Sequence, residues 1–331
     1  MVTMKDVARE AGVSPATVSR VVTGRARVAP AKRDAVERAS KKLGYQPDGV
    51  AAALRSRSSG AIGILVPDIE NPIFPAVIRA AEHELAQAAV DVVLCDADND
   101  VAVEAGRLET LWRRRVDALL VCPVHVRDSA PALRAAARRV PLIQFDRHAI
   151  EEADFVGVDQ AAGMTQVVRH LRATGAGTAV FVGRHTGMSS LMERARAFEE
   201  ACAAHGVQAW ATVEVEFPDG AAGRAYARGL LAGGTLPDAV ACANDELAFG
   251  ILVELRAAGV RCPEDILITG HDDIPAAEYM GLTSVNQALR DKGREAARLL
   301  QQASDAPRHV RLTPALVPRT TTARDERRGR T

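Results

Sequence analysis

The heptapeptide SPATVSR near the amino terminus carries side chains that suit contact with a nucleic-acid duplex. Arg20 can donate two hydrogen bonds to O6 and N7 of guanine, a common base-specific contact in the major groove. The hydroxyl groups of Ser14 and Thr17 suit phosphate oxygens. Pro15 and Ala16 offer small apolar contacts for a thymine methyl group. We therefore predict a short helix that enters the major groove by its amino-terminal end, the alternative being that Arg20 forms only a surface ion pair.

Three short helices are predicted around this heptapeptide. Apolar residues recur over positions 4–11 with the spacing of one helix face, and Gly12 then provides a left-handed stop. Ser14 is a good N-cap for the second helix, whose first helical position holds a proline. A third helix is predicted from about Pro30 to Leu43. Two short helices joined by a short turn with a glycine form a helix-turn-helix, so this segment is predicted to be all-α.

The charge distribution supports a nucleic-acid partner for the amino-terminal segment. Residues 1–59, which we call the head, hold 12 Lys and Arg against 5 Asp and Glu, a net charge of +7. Residues 60–331, the body, hold 30 against 37, a net charge of −7, so the formal charge of zero hides an uneven distribution. A small basic head on an acidic body is typical of nucleic-acid binding, and a merely solvated basic surface is the alternative.

The head resembles the DNA-binding domain of the lac repressor (LacI/GalR) family of bacterial transcription regulators. The resemblance rests on MKDVAREAGVSPATVSRVVTG and on the later run KRDAVERASKKLGYQPDGVAAALRS. It implies a helix-turn-helix domain over 1–47 that contacts double-stranded operator DNA, with Thr23 and Arg27 among the contacting residues. Thr23 stands where the family usually has asparagine, and Ala29 replaces the usual polar cap of the third helix.

Residues 48–60 resemble the hinge helix and linker of the same family. The segment holds three consecutive alanines, but it is too short to persist as a helix alone in water. The resemblance implies that the hinge helix forms when two chains meet on DNA, with Leu54 wedged between the central base pairs in the minor groove. Apolar wedges of this kind kink the duplex, and packing of Leu54 against its symmetry mate is the alternative role. Arg55 and Arg57 are predicted phosphate contacts.

The body shows short β-rich runs that alternate with helical patterns. Examples of such runs are AIGILVPD, ALLVCPV, PLIQFDR, TAVFVGR and ILITGHDD. Alternating strands and helices predict an α/β fold, with parallel sheets that carry helices on both faces. The length of the body suits two lobes, and ligands of such folds bind beyond the carboxyl ends of the strands.

Polar side chains collect at five of the predicted strand ends. The segments concerned are PDIENPIF, FDRH, VGRHTGMSSLMERARAF, CANDE and GHDD. Carboxylate and amide groups bind hydroxyls, an arginine can span two hydroxyls, and an aromatic ring can cover an apolar face. We therefore expect a sugar or sugar derivative as the small-molecule effector. A purine or nucleoside is the alternative, because arginine and aspartate serve both.

The body also resembles the family, whose two-lobed effector domain shares its fold with periplasmic sugar-binding proteins. The motif ERARAF places Arg194, ANDE places Asn244 and GHDD places Asp272 among the effector contacts. The full set of effector-binding residues implied by the resemblance is Asn71, Ile73, Phe74, Asp146, Ser190, Arg194, Phe217, Asn244, Asp272 and Gln287.

The resemblance further implies that the chain crosses between the lobes three times. The first lobe is expected over 61–158 and 289–317, and the second over 159–288 and 318–325. Residues 326–331 are expected to be a charged, disordered tail. The carboxyl terminus holds no leucine heptads, so we expect a homodimer on a pseudo-palindromic operator with a central CG step.

Other classes of protein are disfavoured by the sequence. No apolar run is long enough to span a membrane and no signal-peptide core is present, so we expect a cytoplasmic protein. The 5 cysteines are far apart, which argues against a disulfide framework or a zinc site, and we expect no cofactor. The DADND segment fails the calcium-loop pattern, because valine replaces the required glycine. No nucleophile or phosphate-loop motif occurs, so an enzyme, or a cytoplasmic sugar-binding protein with a basic head, has the least support.

Overall fold

The computed structural model describes residues 2–23, 28–45, 59–302 and 304–323. The chain divides into two compact units, residues 1–60 and residues 61–331, each of which is described by itself below. Several predicted positions lie outside the described residues, namely Arg27, Leu54, Arg55, Arg57, residues 46–58 of the hinge region and residues 324–331 at the carboxyl terminus.

The first unit contains a three-helix head. Its helices are α1 (Met4–Glu10), α2 (Pro15–Thr23) and α3 (Pro30–Leu43). The hydroxyl of Ser14 accepts a hydrogen bond from the backbone N–H of Thr17 (3.2 Å), so the cap predicted for α2 forms. Ala29 provides no side-chain cap for α3, whose first helical position is Pro30. The helix-turn-helix predicted for the head is confirmed.

A small apolar core holds the head together. Its buried side chains are Val7, Ala8, Val18, Val36 and Ala39. All three helices contribute to this core, and the backbone of α3 ends at Gly44 in the left-handed conformation (φ 63°) that favours glycine. The core is small, so the head depends on its helix caps and on a few apolar contacts for its stability.

The second unit begins with a first α/β lobe. Its elements are β1 (Ala61–Val66), α4 (Ile73–Gln87), β2 (Asp91–Asp96), α5 (Val101–Arg113), β3 (Ala118–Val121), α6 (Ala130–Ala137), β4 (Leu142–Phe145) and β5 (Asp154–Val158). The chain then crosses to a second lobe, where Asp159 accepts a hydrogen bond from Ala162 N–H (2.9 Å) and so caps the next helix.

The second lobe continues the alternation of strands and helices. Its elements are α7 (Gln160–Ala173), β6 (Thr178–Arg184), α8 (Ser189–His205), β7 (Gln208–Ala209), β8 (Val213–Glu214), α9 (Gly220–Gly233), β9 (Ala239–Cys242), α10 (Asp245–Ala257), β10 (Leu267–Asp272), α11 (Pro275–Met280) and β11 (Thr283–Asn286). The chain then returns to the first lobe for α12 (Leu289–Leu300) and β12 (His309–Leu312), and ends with β13 (Ala315–Val317) and a 3₁₀ turn over Thr320–Thr322.

Each lobe is built on its own sheet. The first sheet has the order β12-β5-β4-β3-β1-β2, and all its pairings are parallel. The second has the order β13-β11-β10-β9-β6-β7, with β8 also paired to β6. Only β13 runs antiparallel to its neighbour among the described strands. The α/β architecture predicted for the body is therefore confirmed.

One predicted lobe boundary is wrong. We expected the first lobe to continue to residue 317, but β13 pairs with β11 of the second sheet, with Ser284 opposite Val317. The third crossing therefore lies between β12 and β13, at Thr313 and Pro314. Proline cannot donate a backbone hydrogen bond to a strand ladder, so it interrupts a run that otherwise reads as one strand.

Helices cover both faces of the first sheet. One core cluster joins its strands to α4 and α12, and a second cluster joins them to α5 and α6. A Cβ atom at Gly293 would overlap the carbonyl oxygen of Val77, so this glycine allows α12 to approach α4 closely. Among the described residues no helix is both long and apolar enough to cross a membrane.

Candidate functional site

In the head, α2 exposes the side chains that the sequence predicts to contact DNA. Ser14, Pro15, Ala16 and Arg20 are exposed and Thr17 is half-buried. Within the described part of the head, the ion pairs join other residues and leave Arg20 without a carboxylate partner. The surface of α2 therefore has one arginine available for a guanine and a set of small side chains that permit close approach.

The same helix buries the side chain that anchors it. Val18 is completely buried in the head core. Because α2 packs through Val18, its opposite face stays free for a duplex. Thr23, which is also a predicted contact, is the last residue of α2.

In the body, four buried polar side chains form a hydrogen-bonded chain between the lobes. Lys292 Nζ donates to Asp146 Oδ1 (2.5 Å) and to Gln287 Oε1 (2.9 Å). Gln287 Nε2 in turn donates to Asp272 Oδ1. Asp146 follows β4 of the first lobe and Asp272 ends β10 of the second, so the chain joins the carboxyl ends of strands from both sheets.

Arg194 on α8 lies close to the same carboxylates. Its Nε donates to Gln160 Oε1 (3.0 Å) and its Nη1 donates to the carbonyl oxygen of Ala243. Burial lowers the pKa of Arg194, and the negative charges of Asp272 and Asp146 oppose this decrease. The arginine is thus held by neutral acceptors while it remains within electrostatic reach of an aspartate from each lobe.

The two aspartates of this cluster differ in their ionisation. Burial raises the pKa of Asp146, but the charge of Lys292 and its hydrogen bond outweigh burial and leave that pKa below its usual value. Burial raises the pKa of Asp272 well above its usual range, although Arg194 opposes the increase. Asp146 is therefore a fixed anion, whereas Asp272 can hold a proton and donate or accept a hydrogen bond.

Hydrogen bonds and an ion pair also join the two lobes directly. Val126 N–H donates to Gly187 O (2.8 Å), and His148 N–H donates to Ser189 Oγ (2.9 Å). Arg311 of β12 also forms a two-bond ion pair with Glu193 of α8, at 2.6 and 3.1 Å. These bonds cross between the lobes, so they must break or shift when the lobes separate.

A cavity of about 340 Å³ lies beside the cluster. Pro72 and Leu289 line it from the first lobe, and Asp272 and Ile274 line it from the second. A cavity of this size is in the range of small-molecule sites in proteins. The location agrees with the expectation that a ligand of this fold binds beyond the strand ends.

Three predicted contacts in the first lobe serve mainly local structure. Asn71 Oδ1 accepts a hydrogen bond from Ile73 N–H (3.1 Å) at the start of α4. Ile73 is buried, and the fully buried Phe74 packs edge-to-face against Phe145 (6.1 Å between ring centroids). Phe74 is therefore a core residue that supports the end of β4.

Several of the predicted contacts in the second lobe also serve local structure or lie away from the cluster. Asn244 accepts from Leu247 N–H (2.9 Å), which caps α10, and donates to Pro218 O (2.6 Å). Ser190 is buried in the first turn of α8. Phe217 is 51% exposed and lines a shallow cavity with Tyr226 and neighbours of β8 and α9, so the structure does not bring it to the cluster around Arg194.

Reasoning from sequence missed Lys292, which is buried in this cluster. A signal was present, because Lys292 lies on the apolar face of α12, three residues after Leu289 and four before Ala296. A lysine on a buried helix face requires an acidic partner. The sequence does not say that this partner is Asp146, which is 146 residues away.

Comparisons with known proteins agree with the two-part structure. The model of the lacI family of bacterial regulatory proteins matches residues 3–48, and the periplasmic binding protein-like domain matches residues 168–322. The ribose operon repressor of Halalkalibacterium halodurans is 32% identical over 91% of this chain and 89% of its own length.

Two solved structures resemble the whole chain. The lac repressor dimer bound to operator and the anti-inducer ONPF is 26% identical, with a TM-score of 0.86, over 97% of this chain and 99% of that one. The complex of the transcriptional regulator CelR with cellobiose is 29% identical, with a TM-score of 0.72, over 97% and 100%.

An exposed helix-turn-helix and a two-lobed body with a buried polar cluster define the class of DNA-binding transcription regulators controlled by a small ligand. Within that class, the chain belongs to the lacI family of bacterial regulatory proteins.

Proposed function

We propose that this protein is a homodimeric repressor whose operator affinity is governed by an effector held between the two lobes of the body. The observation that carries the proposal is the buried cluster of Arg194, Asp146, Asp272 and Gln287, with strand ends of both sheets contributing to it. A ligand bound among these groups would contact both lobes at once. It would therefore favour one relative placement of the lobes over another.

The head is proposed to read one half of a pseudo-palindromic operator in each chain. Arg20 would pair with a guanine in the major groove, and Ser14 and Thr17 would contact the backbone. Leu54 of the two chains would meet at a central CG step in the minor groove, with Arg55 on adjacent phosphates. The lac repressor dimer on its operator, which this chain resembles, supports this arrangement.

The effector is proposed to be a sugar or a sugar derivative. The ribose operon repressor and the CelR complex with cellobiose, both similar to this chain, support a sugar. The chemistry of the cluster supports it too, because carboxylates, an amide and a guanidinium all form hydrogen bonds with hydroxyl groups. We further propose that the protein works in the cytoplasm, without a cofactor and without catalysing a reaction.

Regulation is proposed to pass from the lobes to the hinge segments. The effector would change the relative placement of the lobes, and the hinge segments of the dimer would gain or lose their partners. A coupling free energy of about 1–3 kcal/mol between effector and operator would be enough to change operator occupancy. The contacts of Arg311 with Glu193 and of His148 with Ser189 are candidates for the bonds that shift.

A ligand screen followed by footprinting tests the proposal. Operator sequences are selected in vitro from random duplexes, and sugars, sugar acids, sugar phosphates and nucleobases are screened by thermal shift. We expect symmetric protection around a central step and a change in operator affinity with at least one stabilising compound. Asymmetric protection, or stabilising compounds that all leave operator affinity unchanged, would count against the proposal.

Arg194→Ala provides the matched variant for this test. We expect it to blunt the response of operator binding to the effector while the ligand-free protein keeps its operator affinity. Circular dichroism checks that the variant is folded. Equal loss of effector response and operator affinity in a folded variant would mean that Arg194 serves only the structure of the body.

A further inference from the structure

Arg147 is a buried arginine that forms no ion pair in the described structure. It follows Asp146 at the end of β4, and only 8% of its surface is exposed. Its Nε and Nη1 atoms have no hydrogen-bond acceptor among the described residues. Within the same residues no carboxylate forms an ion pair with it at 4.0 Å or less. Two buried guanidinium nitrogens without acceptors are costly, and a negatively charged partner would satisfy them.

The backbone holds Arg147 in place independently of its side chain. Asp146 adopts a positive φ of 62°, and Arg147 N–H donates to Phe145 O (2.6 Å) in a tight turn. A non-glycine residue with positive φ is uncommon and costs conformational energy. Asp146 Oδ1 accepts a hydrogen bond from Lys292 Nζ (2.5 Å), whereas Arg147 forms no ion pair among the described residues.

The charge of Arg147 acts on groups of both lobes. In the second lobe, burial lowers the pKa of His185 and Arg147 lowers it further, and Arg147 also contributes to the lowered pKa of Arg194, after burial. In the first lobe, burial raises the pKa of Glu104, and Arg147 is among the groups that oppose this increase. The next residue, His148, donates its backbone N–H to Ser189 Oγ of the second lobe (2.9 Å), so Arg147 lies in a turn that contacts the second lobe.

The acids nearest in the structure form no ion pair with Arg147 among the described residues. Asp146 is bound by Lys292, which removes the carboxylate adjacent in sequence. Glu104 Oε1 accepts a hydrogen bond from Val124 N–H (3.0 Å), and its Oε2 has no partner in the described structure. Among the described residues, no oxygen of Glu104 lies within 4.0 Å of a nitrogen of Arg147, so the two form no ion pair.

We infer that the effector carries an anionic group, a carboxylate or a phosphate, that lies against the guanidinium of Arg147 between the lobes. This inference rests on the proposed function and narrows its ligand class from sugars in general to sugar acids and sugar phosphates. The planar guanidinium donates two parallel hydrogen bonds to such oxygens, which neutral hydroxyl groups match less well. The remainder of the ligand would reach Arg194 and Asp272 on the opposite lobe.

A matched panel of ligands tests the inference. For glucose, galactose and ribose, the neutral sugar, the sugar acid and the terminal phosphate ester are compared, and inorganic phosphate and sulfate are included as anions alone. Binding is measured by thermal shift and calorimetry at constant ionic strength, with wild type, Arg147→Met and Arg147→Lys. Arg172→Met removes the same charge from an exposed position at the end of α7 and serves as the control.

We expect every compound that binds to be anionic, and the panel distinguishes carboxylate from phosphate. Arg147→Met should weaken binding of the anionic compound by at least about tenfold, Arg147→Lys should restore part of the loss, and Arg172→Met should change little. If the effector is derived from a sugar other than glucose, galactose or ribose, inorganic phosphate or sulfate should still stabilise wild type more than Arg147→Met.

Three results would overturn the inference. One is a neutral sugar that binds as tightly as its acid and its phosphate ester. A second is equal affinity of wild type and Arg147→Met for an anionic ligand, and a third is equal stabilisation of the two by every anion. Failure of the proposed function is separate, because it appears as absence of specific operator binding by wild type. A neutral sugar that alters operator binding would agree with the proposed function and would contradict only the inference that the effector is anionic.

Discussion

The head and the cleft of the body place their functional side chains in opposite environments. In the head, Arg20 is exposed on a helix that is anchored by the buried Val18 on its other face. In the cleft, Lys292 and Arg194 are buried and hydrogen-bonded to groups distant in sequence. Under the proposed function, recognition and stability are therefore separate in the head, whereas in the cleft the same interactions serve both. Four predictions examine this difference, beginning with the largest effect.

Breaking the Lys292–Asp146 pair should give the largest loss of stability. Lys292→Met leaves Asp146 as a buried carboxylate without its counter-charge, which costs about 3–5 kcal/mol of unfolding free energy. Urea unfolding of the body measures the effect. Adding Asp146→Asn to the same chain should recover much of the loss, because no unpaired charge then remains. If Lys292→Met alone were as stable as wild type, the ion pair in the cleft would not contribute to the stability of the body.

Arg20→Met should show the opposite behaviour in the head. Loss of a bidentate guanine contact should cost about 1–3 kcal/mol of operator affinity and relax the preference at one base pair. The unfolding free energy should change by less than about 0.5 kcal/mol, because the side chain is exposed. Arg38→Met removes the same charge from α3 and should weaken binding to all sequences alike. If the two variants lose affinity with the same sequence dependence, the base contact is absent.

The buried Asp245 should make the stability of the body depend on pH. Burial raises its pKa to about 7, while Ser284 (2.5 Å) and Ile274 N–H (2.9 Å) donate to it and oppose the increase. Between about pH 4 and pH 7 the folded state binds the proton more tightly than the unfolded state, so stability falls as pH rises. Asp245→Asn should remove at least about 1 kcal/mol of this fall, since one pKa unit is worth about 1.4 kcal/mol.

Urea unfolding at several pH values from 4 to 8 measures the slope in wild type and in Asp245→Asn. The difference between the two slopes reports Asp245 together with its effect on Asp272, whose pKa the charge of Asp245 raises. Parallel slopes would show that Asp245 is ionised throughout and that its hydrogen bonds outweigh burial.

The helix caps of the head should give the smallest effects. Ser14→Ala removes the cap of α2 and should lower the stability of the head by about 1 kcal/mol. Ala29→Ser supplies a cap where α3 has none and should raise it by up to about 1 kcal/mol. Thermal unfolding followed by helical circular dichroism measures both. Changes of the same sign in the two variants would contradict the capping account.

The difference between the head and the cleft also explains which features of the fold and the site could be predicted from the sequence. The cap, the proline and the arginine of α2 are local signals, because they depend on neighbours within one or two turns. The polar runs that follow the strands of the body are local too, and the family motifs within them place Asp146, Arg194 and Asp272 among the proposed contacts. Which side chain pairs with which is not local.

Pairing in the cleft depends on packing between elements far apart in the chain. Lys292 meets Asp146 because α12 returns to the first lobe and packs closely on α4 at Gly293. Phe74 is buried in the core and Phe217 is exposed, although the family pattern implies that both contact the effector. A motif places a residue at an edge of the sheet, but the surrounding side chains decide which way it points.

Reciprocal linkage between the effector and the operator tests the central claim most directly. Operator affinity is measured with and without a saturating ligand from the screen, and ligand affinity is measured with and without saturating operator. If the body controls the head, both ratios must be equal and must differ from one, by about 5–150-fold for ordinary allosteric coupling. A ligand that binds the cleft tightly while both ratios stay at one would contradict the account.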